Sequence, residues 1–195
     1  MEELDIVAAG YAGEAGAACI AREKFNEMLR RFRKDYAEHL CEESDIPEES
    51  PQETGELQAD GESLCVRIPA GEGGILAALY QAAKERKCGL HIALKSIPVR
   101  QDTIELCELY GLNPYRLYSR CVIFLCGNGG RLAEQLRERG IPAEHIGRMT
   151  RGLDKIITDK TETEYLNRPE PDELLKVLPE MKIPRLKKTE GDSNA

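Results

Sequence analysis

Apolar residues along the chain recur in two kinds of block, some with a period of two and others with a period of three to four. The first period is typical of a half-buried strand and the second of an amphipathic helix. The pattern predicts strands at 4–9, in the apolar run before Gly71, at 89–94, 120–126, 144–149 and 154–159, and a strand-like piece around Tyr165. It predicts helices at 73–86, 100–110, 129–140 and 172–178, and a long helix whose apolar stripe runs from Ala17 to Leu40, with a break expected near Lys34.

Two features of this pattern indicate the architecture. The strand at 120–126, Arg-Cys-Val-Ile-Phe-Leu-Cys, is apolar on both faces, as expected for an interior strand that is covered on both sides. The helix at 100–110 ends at Gly111, and Asn113-Pro114 prevents it from resuming. The alternation of elements predicts an α/β or α+β domain in which helices pack against a mixed β-sheet.

Residues 42–62 differ in composition from the rest of the chain. They hold nine acidic residues and no basic one, so the net charge of −8 for 195 residues leaves +1 for the remainder. A segment so poor in apolar residues cannot offset the entropy of ordering, which predicts a mobile loop. We expect one domain over 1–178 that carries this loop, and a basic and polar tail over 179–195 that is disordered.

Charge and hydropathy argue against two classes of partner. The nearly neutral body lacks the basic face that nucleic-acid binding requires. No apolar segment is long enough to span a bilayer, and the start, Met1-Glu-Glu-Leu-Asp5, is unlike a secretory signal. We therefore expect a cytoplasmic protein that binds neither nucleic acid nor membrane.

Seven cysteines stand at positions 19, 41, 65, 88, 107, 121 and 126. They form no CxxC pair and no zinc-ligand cluster, and most occupy apolar positions of predicted elements, so we interpret them as reduced core residues. Cys121 and Cys126 are five residues apart and are predicted to point to opposite faces of their strand. The histidines cannot be paired with a cysteine from sequence, and the sequence predicts neither a metal site nor a catalytic residue.

The turn at Gly71-Glu72-Gly73-Gly74, between an apolar run and a helix, is the first candidate binding site. Free N–H groups at a helix N-terminus favour a phosphate or carboxylate, and glycines allow close approach. The alternative is that the glycines only shape a tight turn, because a short glycine pattern is weak evidence by itself. A second such turn, Cys126-Gly-Asn-Gly-Gly130, leaves the same alternatives open.

Familiar nucleotide-binding and catalytic motifs are not found in the sequence. The first turn lacks the lysine and hydroxyl of GxxxxGK[ST], and it is not GxGxxG followed by a ribose-binding acid. No Ser-His-Asp arrangement, HExxH helix or calcium loop appears. Arg100, just before the helix at 100–110, is a candidate for a ligand at the strand ends, and an ordinary surface position is the alternative.

Several motifs resemble, in order, the C-terminal domain of the aminoimidazole ribonucleotide (AIR) synthetase superfamily. They are Glu72-Gly-Gly-Ile-Leu-Ala-Ala-Leu79, Gly89-Leu-His-Ile92, Ile97-Pro-Val-Arg100, Cys107-Glu-Leu-Tyr-Gly-Leu-Asn-Pro114, Leu132-Ala-Glu-Gln-Leu136, Gly140-Ile-Pro-Ala143 and Ile146-Gly-Arg148. Asp5-Ile-Val7 and Gly13-Glu-Ala-Gly16 resemble that superfamily's first strand and glycine turn. Within it, the likeness is to hydrogenase maturation factors of the carbamoyl-dehydratase type (HypE), over about residues 4–175.

The resemblance implies the fold and a connection to ATP-using enzymes. Such proteins pair an N-terminal ATP-binding domain, which supplies most nucleotide and magnesium ligands, with this C-terminal domain. They phosphorylate an oxygen atom of an amide or similar group, and they generally form dimers through the N-terminal domains. We find no counterpart of that domain, so ATP and magnesium are expected only with a partner domain. The residues that we assign to binding an anionic or nucleotide-like ligand are Gly71, Glu72, Gly73, Gly74, Gly13, Gly16 and Arg100.

Positions that match the superfamily's motifs have lost polar groups. Pro69 and Gly71 stand where relatives tend to carry an Asp and a Thr, and Gly13-Glu-Ala-Gly-Ala17 stands for Gly-Leu-Glu-Gly-Thr. Maturation factors of this type end in a reactive cysteine, whereas the sequence ends Asp192-Ser-Asn-Ala195. We therefore expect a stand-alone, degenerate relative that is a non-catalytic binding or accessory protein, as a homodimer or docked on a separate ATP-binding domain. The alternative is a subunit of an ATP-dependent enzyme that a separate N-terminal domain completes.

Overall fold

The computed structural model describes residues 3–42, 65–159 and 162–184. Its strands are β1 (Asp5–Ala9), β2 (Val66–Gly71), β3 (Gly89–Ala93), β4 (Ser119–Cys126), β5 (Ala143–Thr150), β6 (Lys155–Asp159) and β7 (Glu162–Tyr165). Its α-helices are α1 (Glu14–Glu23), α2 (Phe25–Met28), α3 (Lys34–Leu40), α4 (Gly74–Glu85), α5 (Gln101–Tyr110) and α6 (Gly129–Glu138). Short 3-10 helices cover Leu94–Ser96, Pro114–Arg116 and Glu173–Lys176. The acidic segment after Glu42 and the tail from residue 185 lie outside the described residues.

The strands form one mixed sheet in the order β2–β4–β1–β5–β3–β6–β7. Neighbouring strands are antiparallel except β3 and β6, which run parallel. Strand β4 lies between β2 and β1, and seven of its eight residues are buried, as its two apolar faces predicted. The predicted fold class, a mixed sheet with packed helices, is confirmed.

Both faces of the sheet are covered. Helix α4 packs on β2 and β4 with Leu79 fully buried, in the same cluster as Cys121. Helix α6 packs on β1 and β5 from the opposite face, where Leu132 lies in one cluster with Cys126. The prediction that the two cysteines point to opposite faces is thus confirmed. Each fully buried Leu or Ile side chain contributes about 1.5–3 kcal/mol relative to an exposed one.

The long apolar stripe from Ala17 to Leu40 forms three helices rather than one. A break at the expected place is present, since α3 begins at Lys34, but the helix has already ended at Glu23. Helices α1 and α3 contact each other, and their buried faces share a cluster with α5. A periodic stripe continues through such breaks because each short helix turns the same kind of face toward a common core.

The remaining elements agree with the sequence pattern to within a few residues. Strand β3 ends at Ala93, since Leu94 begins a 3-10 turn. The piece around Tyr165 is a strand, and the helix expected at 172–178 is a single 3-10 turn. Within the described ranges, none of the helices has the length and apolar character needed to cross a bilayer.

Candidate functional site

The predicted glycine turn connects β2 to α4, and its backbone requires glycine. Gly71, Gly73 and Gly74 have φ values of +69°, +77° and +67°, a left-handed conformation that other residues rarely adopt. A Cβ on Gly74 would lie 2.5 Å from the carbonyl oxygen of Tyr115 and 2.7 Å from that of Leu117. The turn therefore packs directly on the backbone that leads into β4, and its glycines serve folding whether or not a ligand binds.

A carboxylate of the chain itself lies at the N-terminus of α4. Asp172 Oδ2 accepts the N–H of Gly73 at 2.6 Å, and its Oδ1 accepts those of Tyr118 at 3.1 Å and Leu174 at 2.9 Å. Asp172 is only 1% exposed. Burial raises the pKa of Asp172, and the three backbone N–H groups oppose this rise. The N–H of Gly73, which we predicted to bind an external anion, already donates to the carboxylate of Asp172.

The glycine turn before α1 is engaged in the same way. The N–H of Gly13 donates to Ser119 Oγ at 2.6 Å, and the N–H of Gly16 donates to the carbonyl oxygen of Tyr118 at 2.9 Å. The turns before α1 and α4 thus both pack on the short segment 114–119, which precedes and begins β4. The structure brings the two predicted turns into one neighbourhood, with that segment as their common contact.

Arg100 is held by carboxylates rather than left open for a ligand. Its Nη1 donates to Glu14 Oε1 at 2.7 Å, and its Nη2 donates to Asp102 and, at 2.6 Å, to His39 Nε2. The Arg100 side chain is 15% exposed, and the Glu14 and Asp102 side chains are below 10%. Burial by itself would lower the pKa of Arg100, but the hydrogen bonds to the two carboxylates raise it. Arg100 therefore joins α5 to the first turn of α1.

The second glycine turn, before α6, also has an internal acceptor. The N–H of Gly129 donates to Asp5 Oδ2 at 2.8 Å, while Asp5 Oδ1 lies 3.4 Å from His145 Nε2. All three glycine turns that lead into helices thus present an N–H group to an oxygen of the chain itself. These N–H groups therefore fit the alternative in which the glycines only shape tight turns.

A groove runs along the edge strand β2 and helix α4. Its volume is about 540 Å³, and Gly71 and Glu72 of the predicted site line it together with Pro169. Arg67 also lines the groove, and among the described residues no carboxylate pairs with it. Burial lowers the pKa of Arg67, with no neighbouring charge to compensate. A half-buried guanidinium without an internal partner is a group that an anion would stabilise.

A second cleft, of about 960 Å³, lies near the junction of β1 and β5. Its cations are paired: Lys95 Nζ lies 2.7 Å from Asp159 Oδ1, and Arg137 Nη1 lies 3.1 Å from Glu144 Oε1. The groove along β2 is therefore the better candidate for an anionic ligand.

The described residues contain no group of three or more His, Cys, Asp or Glu side chains that could hold a metal ion. Cys88, Cys107, Cys121 and Cys126 are buried, in keeping with core positions, whereas Cys19, Cys41 and Cys65 are partly exposed. Burial raises the pKa of Cys107 and Cys121 to about 12, which disfavours their thiolates.

Sequence reasoning missed the residues that partner the predicted site. Asp172 caps the 3-10 turn through its bond to Leu174, and an Asp before Glu-Leu-Leu is a recognisable cap signal. Its contact with Gly73, 99 residues away, has no sequence signal. Arg67 is one polar residue in an edge strand, and sequence alone does not say that it lacks a carboxylate partner.

Comparison with solved structures finds the same fold in hydrogenase maturation proteins. A crystal structure of E. coli HypE matches with a TM-score of 0.67 and 17% sequence identity, over 89% of this chain and 52% of that chain. HypE in complex with ATP matches with a TM-score of 0.62 and 17% identity, with the same two coverages. Identities this low show the fold alone, and the chain spans about half the length of these structures.

A sequence relative points the same way. The carbamoyl dehydratase HypE of Rhodobacter capsulatus is 35% identical over an alignment of 77 residues, and the match covers 36% of this chain and 23% of that protein. No protein-family model matches the chain. The fold and this partial match together support membership in the superfamily that contains HypE, as the motifs predicted.

Proposed function

We propose that this chain is a non-catalytic binding or accessory protein of the HypE-related superfamily, and that it binds an anionic ligand in the groove along β2 and α4. The observation that carries the proposal is Arg67, which lines this groove half-buried and without a carboxylate partner among the described residues. Gly71 and Glu72 are the part of the predicted glycine site that lines the same groove.

The hydrogen bonds of the other predicted site residues support a binding role over catalysis. The N–H groups of Gly13 and Gly73 donate to Ser119 and Asp172, and Arg100 is paired with carboxylates. Gly74 and Gly16 lie at closely packed turns, so in this proposal they shape the site and do not contact the ligand. Hydrogen-bond donors that already bind oxygen atoms of the chain itself are not available to stabilise a transition state.

The charge of the groove limits the ligand to a small anion. Arg67 and Arg86 line it with Glu72 and Glu85, so its formal charge is balanced. A groove of balanced formal charge exerts no net attraction on a polyanion, which favours a carboxylate or a phosphate monoester as the ligand. The volume of about 540 Å³ suits a ligand of metabolite size.

Isothermal titration with inorganic phosphate, with a simple phosphate monoester and with acetate tests this site. We expect one of these probes to bind the wild-type protein and Arg67→Ala to weaken that binding at least about tenfold, since a charge-assisted hydrogen bond contributes about 1.5–3 kcal/mol. Arg139→Ala removes the same charge from the exposed end of α6, and it should bind like wild type. Equal affinity of the wild-type and Arg67→Ala proteins, or no heat with any probe, would refute the site.

The alternative function is that of a subunit in an ATP-dependent enzyme. It rests on the likeness to the HypE chain that was solved with ATP, of which this chain covers 52%. In this alternative an ATP-binding domain docks on the chain, and the homodimer expected from sequence gives way to a mixed assembly. Phosphate release from ATP should then rise above background when a candidate ATP-binding domain is added, and it should stay at background if the chain is only a binding protein. The cytoplasmic location expected from the sequence remains a prediction.

A further inference from the structure

Two cysteines face each other across the edge of the sheet. In the pairing of β2 with β4, Val66 lies opposite Leu125. Cys65 directly precedes Val66 and Cys126 directly follows Leu125, so one further step of the antiparallel register places them opposite each other. Cys65 packs against the hydrophobic cluster that contains Cys126, which shows that both side chains lie on the same face.

Pro69 indicates whether Cys65 and Cys126 form a hydrogen-bonded or a non-hydrogen-bonded pair of the ladder. It lies opposite Val122 in the same ladder. Proline has no N–H, so it cannot exchange both backbone hydrogen bonds with its partner, and this is a non-hydrogen-bonded pair. Pairs alternate in type along an antiparallel ladder, so Cys65 and Cys126, four steps away, also form a non-hydrogen-bonded pair.

The geometry of such a pair suits a disulfide. Directly opposed residues of a non-hydrogen-bonded pair have Cα atoms about 4.5 Å apart and side chains that approach closely. Disulfides join Cα atoms about 4.4–6.8 Å apart. The Cα separation typical of such a pair therefore lies within the range that disulfides join, and both thiols are free in the structure.

The two thiols differ in their access to solvent. Cys65 is partly exposed, whereas Cys126 is fully buried at the end of β4. A soluble oxidant can therefore reach Cys65 first, and Cys126 is placed to react with whatever forms on it. This is the arrangement of an accessible thiol beside a resolving thiol.

We propose that Cys65 and Cys126 are a redox site, which a small disulfide such as oxidised glutathione converts into an intramolecular disulfide. The Cys65 thiolate attacks one sulfur of the oxidant, the oxidant's S–S bond breaks, and the first thiolate leaves with the electron pair. The Cys126 thiolate then attacks Sγ of Cys65 and expels the second thiolate. The two thiol protons pass to the two leaving groups, so the cysteines are oxidised and one molecule of disulfide is reduced to two thiols.

The bond would connect the start of β2 to the end of β4. Strand β2 is an edge strand and forms a wall of the groove described above. Burial raises the pKa of Cys65 and of Cys126, the latter to about 12, so few molecules carry a thiolate at neutral pH. Exchange is therefore slow at neutral pH and faster in mildly alkaline buffer, and the reduced form persists when no oxidant is present.

Mass spectrometry after oxidation of the folded protein tests the proposal. The full chain is incubated with oxidised glutathione at mildly alkaline pH, the remaining thiols are alkylated, and the digest is mapped. The expected product is a peptide pair joined through Cys65 and Cys126, in a protein lighter by two hydrogen atoms. Its thermal midpoint should exceed that of the reduced protein by roughly 5–10 °C, because the bond closes a long loop.

Matched variants make the test specific. Cys41→Ser removes another partly exposed thiol whose pKa burial also raises, and it should leave the crosslink and the thermal shift unchanged. Cys65→Ser should abolish both while leaving the buried Cys126 in place. The proposal is overturned if wild type yields only a lasting mixed disulfide between Cys65 and glutathione, pairs Cys65 with another cysteine, or leaves both thiols free to alkylate. These readouts come from wild type, so they hold even if a variant fails to fold.

Discussion

The side chain of Asp172 accepts hydrogen bonds from backbone N–H groups in three separate segments of the chain. Its carboxylate accepts N–H groups from the N-terminus of α4, from the segment before β4 and from its own 3-10 turn. Hydrogen bonds to a charged group are among the stronger ones, and a buried donor left without a partner costs about 1–3 kcal/mol.

We predict that Asp172→Ala lowers the free energy of unfolding by about 2–4 kcal/mol in urea denaturation, because three backbone N–H groups lose their acceptor. Asp154→Ala, which removes an exposed carboxylate, should change it by less than about 0.5 kcal/mol. An Asp172→Ala protein as stable as wild type would show that other acceptors replace the carboxylate.

The raised pKa of Asp172 predicts a pH dependence of stability. The folded state holds this proton more tightly than the unfolded state, so ionisation works against folding. The contribution is favourable at acid pH, and it is lost as pH rises from the ordinary Asp value of about 4 through the raised folded pKa.

Urea unfolding of wild type and Asp172→Asn across this pH range measures the effect. The difference in unfolding free energy between the two proteins should move in favour of Asp172→Asn as pH rises, since the amide does not ionise. A difference that moves the opposite way would mean that the three N–H groups outweigh burial and lower the pKa.

Arg100 is a largely buried cation that binds two carboxylates. It separates the buried carboxylates of Glu14 and Asp102, so Arg100→Ala removes the guanidinium that binds both of them and leaves their charges close together. We predict a loss of about 3 kcal/mol in unfolding free energy, against less than about 0.5 kcal/mol for the exposed Arg139→Ala. Similar losses for the two variants would contradict the role given to the buried pairs.

At the scale of elements, the three strand–glycine–helix units could be predicted from sequence. An apolar run, a glycine and an amphipathic stripe are local signals, and β1–α1, β2–α4 and β4–α6 all appear where those signals place them. The groups that accept hydrogen bonds from the N–H groups of these turns could not be predicted. Asp172, Ser119 and Asp5 lie far from the turns in the sequence and reach them only in the fold.

The close packing of α4 on the segment before β4 gives a prediction at this scale. Gly74 and Gly111 have nearly equal φ, +67° and +65°, but a Cβ on Gly74 would strike two carbonyl oxygens, whereas a Cβ on Gly111 would meet nothing within 4 Å. Gly111→Ala should cost about 1–2 kcal/mol from backbone strain alone.

Gly74→Ala should cost at least about 2 kcal/mol more than Gly111→Ala in urea denaturation, because the backbone oxygens it meets cannot move aside cheaply. Equal losses for the two variants would show that α4 shifts to accept the methyl group, and that its close approach to residues 115–117 is not required.

At the scale of the whole molecule, the position of a strand in the sheet predicts its stability against local opening. Strand β4 has neighbours on both sides and helices on both faces, whereas β7 is an edge strand with four exposed residues. Hydrogen exchange followed by mass spectrometry should therefore show the slowest amides in β4 and β1 and the fastest strand amides in β7. Equal protection of β7 would indicate that another chain covers this edge in solution.

The sequence by itself determined the elements and the fold class, because the hydrophobic period, glycine stops and cap residues act over a few neighbouring positions. The fold and the partial sequence match also support the superfamily that the motif resemblance indicated. Only the tertiary structure decided which groups remain available to a ligand, since this depends on contacts between residues far apart in the chain. Long-range packing places Asp172 at the N-terminus of α4, the carboxylates around Arg100 and the thiols of Cys65 and Cys126 across from each other. It also leaves the guanidinium of Arg67 without a charged partner among the described residues.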